Sequence, residues 1–144
     1  MATAKVYGSA LTQMLSGGIN FTSDTIKCSL HPSTYVPNQD TDDFWSDCTP
    51  ECTGTSYNTG GATLTGKSLT YNTSTNTLTI DAADPAWTAA TISGIRYAVF
   101  YKSTGTAATS PLICYIDFTT DQAVSGANLN IVLPATGLVQ ATVA

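Results

Sequence analysis

Charge is what this sequence has least of. Of its 144 residues only 10% are Asp, Glu, Lys or Arg, where an average globular chain has roughly a quarter. Thr, Ser, Asn and Gly fill the gap, so the surface must be largely neutral and rich in hydroxyls. Thr suits that role in a β-protein, because its branched side chain fits a pleated surface and its hydroxyl faces water without the entropy of a long side chain. The few charges are unbalanced, five basic against ten acidic for a net charge of -5. Their long-range field repels phosphate backbones, and nucleic-acid binding is not expected. Long apolar runs are missing as well. The opening MATAKVYGSALTQMLSGG has no continuous apolar stretch followed by a cleavage site, and no later stretch approaches the roughly 18 apolar residues of a membrane span. The expectation is a protein kept or assembled in a cytoplasm, with no membrane partner.

Groups suited to catalysis are equally scarce. The single His, His31, precedes Pro32 and reads as a strand-end residue that bonds locally rather than as a general base. Ser and Thr abound, but no GxSxG setting singles out a nucleophile. Asp40, Asp42, Asp43 and Asp47 offer oxygen ligands without the order of an EF-hand, so a solvated loop or helix N-cap is the better reading. Asp81 and Asp84 resemble the paired acids of a glycosidase in residue type only, and the turn at Asp84-Pro85 explains Asp84 without chemistry. Gly17-Gly18 and Gly60-Gly61 lead into no phosphate-binding Lys and helix start. The reading is a non-enzymatic chain with no catalytic residue, no cofactor and no metal site.

Four cysteines are present. Cys28 and Cys114 lie in strand-like runs, where a reduced thiol is a small apolar filler. Cys48 and Cys52 frame Thr-Pro-Glu and either close a small disulfide loop or stay free. A zinc site recruiting Cys28, His31, Cys48 and Cys52 matches no familiar spacing.

What is present is β-patterning in a single domain, 1–144, long enough to bury a sound core. Val6, Tyr7, Ala10, Leu11, Met14 and Leu15 recur at helical spacing before Gly17-Gly18, which predicts a short amphipathic helix over 5–16, or an extended arm. Residues 24–30 alternate as a strand that Pro32 ends. The stretch 31–62 is irregular, with a helical turn expected over 42–48 and Phe44 and Trp45 tucked beneath it. A hairpin follows, 63–71 returning over 77–80 through a turn at 72–76, with Leu64, Leu78 and Ile80 as core positions. After a break at 81–85, Trp87 caps the core. Residues 92–102 form a central strand with Ile95, Tyr97, Val99 and Tyr101 on one face and Arg96, Ala98, Phe100 and Lys102 on the other. A turn over 103–110 leads to 112–118, where Leu112, Cys114, Ile116 and Phe118 share a face, and two further strands cover 127–133 and 138–143. Short strands spaced by turns indicate an all-β fold, an antiparallel β-sandwich or jelly roll with a short N-terminal helix or arm.

Several stretches form a pattern beyond this alternation: DTIK at 24–27, YVPNQDTD at 35–42, DFWSD at 43–47, TGTSY at 53–57, GGATLTGK at 60–67, DAADPAW at 81–87, SPLI at 110–113 and the close at 138–144. Their order and spacing resemble a family of small virion structural proteins of tailed bacteriophages, across nearly the whole chain. The resemblance implies a head decoration, or cement, protein: a β-sandwich or jelly roll located in the virion capsid and assembled in the host cytoplasm. It would bind the major capsid protein and self-associate as a dimer or trimer. The expected contact elements are the N-terminal helix and the 31–62 loop, through Val6, Tyr7, Leu11, Phe44 and Trp45. A tail or fibre component is the alternative, with Trp45, Trp87, Tyr57 and Tyr71 as stacking platforms for sugars.

Overall fold

A computed structural model describes residues 3–143. Strand β1 (Ala4–Val6) leads into helix α1 (Gly8–Leu15), and then come β2 (Ile26–His31), β3 (Gly54–Thr55), β4 (Ala62–Thr63), β5 (Ser68–Asn72), β6 (Thr77–Asp81), β7 (Ala86–Lys102), β8 (Leu112–Asn130) and β9 (Val139–Thr142). Single 3-10 turns lie at Trp45–Asp47 and Ala107–Thr109. Six strands make one sheet in the order β1-β8-β7-β2-β4, with β3 also pairing β7, and three make a second in the order β5-β6-β9. Every ladder is antiparallel. The fold is an all-β sandwich with a short N-terminal helix.

The alternation of side chains along a strand explains how the sheets stack. In β2, Ile26, Cys28 and Leu30 point into the core between the sheets, where they meet Phe100, Ile113, Cys114 and Ile116 from the large sheet and Leu64, Ile80, Leu138 and Val139 from the other side. The opposite face of the large sheet carries a second core of Tyr97, Val99, Tyr101, Leu112 and Tyr115, closed by Tyr7 and Ala10 from the N-terminal segment and by Tyr35 and Cys48 from the long loop. The part of the long loop that carries Tyr35, Trp45 and Cys48 therefore covers a sheet face that would otherwise expose five large side chains, while Cys52 and Tyr57 pack in the inter-sheet core.

Local chemistry fixes the turns. In the β5–β6 hairpin, Asn72 Oδ1 accepts from the backbone N–H of Ser74 and Thr75 at 2.9 and 3.3 Å, an Asx turn. Helix α1 stops where Gly17 takes a φ of +82°, a left-handed conformation that costs glycine little.

The structure departs from the sequence pattern in several places. The expected helix over 5–16 is divided, because Ala4–Val6 pairs with β8 and leaves only Gly8–Leu15 helical. Residues 62–63 belong to the large sheet rather than to the β5–β6 hairpin, and Leu64 donates its backbone N–H to Ile26 O. The expected strands over 112–118 and 127–133 are one, β8, which runs on to Asn130 and pairs with a β7 that starts at Ala86. Irregular register along this ribbon reverses two side-chain assignments. Ile95 packs in the inter-sheet core, apart from Tyr97, Val99 and Tyr101, and Leu112 packs in the second core, apart from Cys114 and Ile116. Of the expected hairpin core, Leu64 and Ile80 are buried and Leu78 is half-buried.

Candidate functional site

The second core is unusually polar for an interior, and Tyr7 and Cys48 lie in it with Val6 and Trp45 packed against it. Ser29 and His31, two residues apart on β2, share a face and are both fully buried. His31 Nδ1–H donates to Pro50 O at 2.9 Å, which leaves Nε2 to accept from the Ser29 hydroxyl at 2.8 Å. Ser29 Oγ in turn accepts from Trp45 Nε1–H at 3.1 Å. The chain of bonds runs from the 3-10 turn through β2 to the loop backbone and satisfies each member. Burial pulls the imidazole down to about 4, with the bond to Pro50 opposing the fall. A Ser–His pair at this distance is the geometry of an activated nucleophile, but here the hydroxyl is sealed from solvent and already accepts from an indole N–H.

A second network lies beside it. The Tyr35 hydroxyl donates to Asp42 Oδ2 at 2.9 Å and stands 2.9 Å from the Tyr7 hydroxyl and 3.2 Å from Cys48 Sγ. Burial pushes the Tyr7 and Tyr35 phenols well above their ordinary range and the Cys48 thiol up to about 12. A third network ties Tyr57 OH to Glu51 Oε1 at 2.5 Å, while the Leu30 and Gly60 amides donate to the same pair. Desolvation raises the Glu51 carboxyl, partly offset by these bonds. The first and third networks fasten the loop to β2, and the second fastens it to the N-terminal segment at Tyr7.

The other singled-out residues also hold backbone. Asp47 Oδ2 accepts from the Asp43 and Phe44 amides, Asp81 Oδ1 from Ala82 N and Asp84 Oδ1 from Leu133 N. All four cysteines are free and buried. Cys28, Cys52 and Cys114 sit in the inter-sheet core and Cys48 in the other, so Cys48 and Cys52 stand in separate cores and form no disulfide. The same division keeps Cys28, His31, Cys48 and Cys52 from converging. Among the described residues no group of three or more His, Cys, Asp or Glu is placed to hold a metal ion, and no helix is long and apolar enough to cross a membrane.

Of the expected contact residues, Tyr7 is fully buried and Val6, Phe44 and Trp45 are half-buried within the fold. Trp45 stacks flat on Tyr101 with ring centres 5.0 Å apart, and Phe44 bridges to Pro111. Leu11 is exposed. Among the aromatic residues considered for sugar stacking, Tyr57 and Trp87 pack on each other in the core, and Tyr71 is the exposed one.

Among the described residues two open surfaces stand out, the first beside the N-terminal helix expected to make contacts and the second not singled out in the sequence. At the C-terminal end of α1, Met14, Leu15, Ile19, Phe21, Leu69 and Leu78 line an apolar groove of about 480 Å³ between the helix and the three-stranded sheet. Leu15 is 90% exposed at its rim. The second surface is the far half of β8, residues 119–130, exposed on nearly every side chain. No family model, curated protein or solved structure matches the chain.

Proposed function

We propose that the chain is a non-enzymatic structural protein of a tailed-phage virion. In this reading it is a decoration, or cement, protein that binds the outer surface of the head as a dimer or trimer and stabilises the lattice of the major capsid protein. The sequence resemblance supplies the setting, and the open groove beside α1 is the observation that carries the contact role. Contiguous exposed apolar side chains with a polar rim mark surfaces that another protein covers. A groove lined by Leu15 and Leu69 on an otherwise neutral surface suits repeated contacts, each modest, whose avidity across a lattice does the stabilising. The buried networks support the same role, because they rigidify the cover of the large sheet without presenting a reactive group. The tail or fibre alternative has less support, since three of its four proposed sugar platforms are occupied within the fold.

The test is co-sedimentation of the purified chain with phage shells that lack it. The wild-type chain should saturate the shells in a fixed ratio to the capsid protein, and Leu15→Glu with Leu69→Glu should abolish binding while leaving thermal unfolding unchanged. Failure of the wild-type chain to bind would overturn the proposal.

A further inference from the structure

We infer that the outer edge of β8 over residues 119–130 pairs antiparallel with the same edge of a second copy of this chain. The inference rests on the proposed function only in taking the chain to self-associate. β1 covers this edge at Cys114–Ile116, and among the described residues no strand pairs with it beyond that point. β7 occupies the inner edge as far as Asn130, so the outer edge has no strand partner; Thr119 N–H and Thr120 O are held by the side chains of Asp117 and Gln122, and the stretch beyond them is open to pairing.

Exposed edges invite pairing, and natural sheets block them with Lys, Pro, inward-pointing charge or bulges; of these devices this edge carries only the register shifts of the β7–β8 ladder. This segment reads TTDQAVSGANLN. It contains no Lys, Arg or Pro, and its one charge is Asp121. A second copy fits it better than a charged peptide would, because the edge offers no charge for such a peptide to complement, whereas Thr, Gln, Ser and Asn match their own kind across a twofold axis.

The net charge of -5 opposes association of two copies in general, but little of it acts here. With the axis near Ser125, residue 121 of one copy faces 129 of the other. The two Asp121 carboxylates then lie eight positions apart, about 26 Å at roughly 3.3 Å per residue and beyond two Debye lengths at physiological salt. The irregularity around Gly126, with its φ of +63°, twists the ribbon, and a twofold mate carries the same twist. An apolar groove of about 410 Å³ lined by Ile95, Phe118, Ala123, Leu129, Ile131 and Val132 runs beside the edge, and Val132 is 69% exposed there. An edge about 40 Å long, with this groove, buries on the order of 600–800 Å² per copy, near the size of a standard stable interface.

Sedimentation equilibrium of the purified chain, with amide hydrogen exchange at low and high concentration, tests the assignment. A concentration-dependent dimer is expected, with slowed exchange confined to residues 119–130, and Ala123→Lys with Ser125→Lys should return it to a monomer whose melting temperature equals that of the wild type measured at concentrations too low for the dimer. A wild-type chain that stays monomeric up to about 1 mM, or a dimer indifferent to the two lysines, would overturn it. Shell binding through the Leu15 groove is read in a separate assay, so either inference can fail alone.

Discussion

Replacing Ser29 by Ala tests whether the polar chain through the second core carries stability. The substitution removes one hydroxyl that serves two partners: it donates to His31 Nε2 and accepts from Trp45 Nε1. His31 is fully buried, so its ring nitrogen loses its only donor where water cannot replace it. The indole is half-buried and recovers part of its loss from solvent. An unsatisfied buried polar group costs about 1–3 kcal/mol, which puts the total near 3 kcal/mol, or roughly 10 °C in melting temperature for a domain of this size. Urea unfolding followed by tryptophan fluorescence reads this as a lower midpoint at constant slope. Combining Ser29→Ala with Trp45→Phe removes both ends of one bond, and the pair should cost about 1 kcal/mol less than the sum of the single changes. A loss below about 0.5 kcal/mol for Ser29→Ala would refute the argument that this network fastens the loop.

Acid should weaken the fold over the range His31 defines. Its imidazole titrates near 4 when folded against 6.5 unfolded, so between these values the unfolded chain binds the extra proton. Stability is then lost as pH falls from about 6.5 to about 4, by roughly 3 kcal/mol in all, and a His31→Asn chain whose urea midpoint shows the same slope over that window would contradict the assignment. The four buried thiols should be inert to a thiol-reactive dye in the native protein and react together once guanidinium unfolds it; rapid labelling of any one under native conditions would place that cysteine wrongly. Gly61→Ala should cost more than about 2 kcal/mol by thermal melt, because Gly61 has a φ of +73° and an added Cβ would run into the Cys28 carbonyl.

The sequence makes the fold class legible because most strands alternate cleanly and the turns carry Asn, Gly or Pro. It hides what depends on register. Period-2 reasoning sets Ile95 beside Tyr97 and Leu112 beside Cys114, and an irregular step in the β7–β8 ladder separates each pair. Gly94, with its φ of +67° directly before Ile95, is the one local mark of the first step, since a lone glycine in a strand often sits at a bulge, whereas Thr119, with its φ of +64°, looks like any strand threonine. The loop's role was hidden for a different reason. Tyr35 and Cys48 have no periodic pattern between them, and only the three-dimensional path shows that they close a sheet face. Val6, Tyr7, Phe44 and Trp45 were legible as apolar residues that need a partner, and that partner proves to be chiefly the chain's own sheet. Leu15 stood in the helical stripe, but its exposure follows from where the helix ends over the small sheet, which the stripe alone does not tell.

The proposed role is tested most directly by locating the chain on intact virions with immunogold labelling and cryo-electron microscopy. Label spread over the head in a fixed, near-equal ratio to the major capsid protein is the expected result. Label confined to the tail tip, or particles that contain none of the chain, would contradict it.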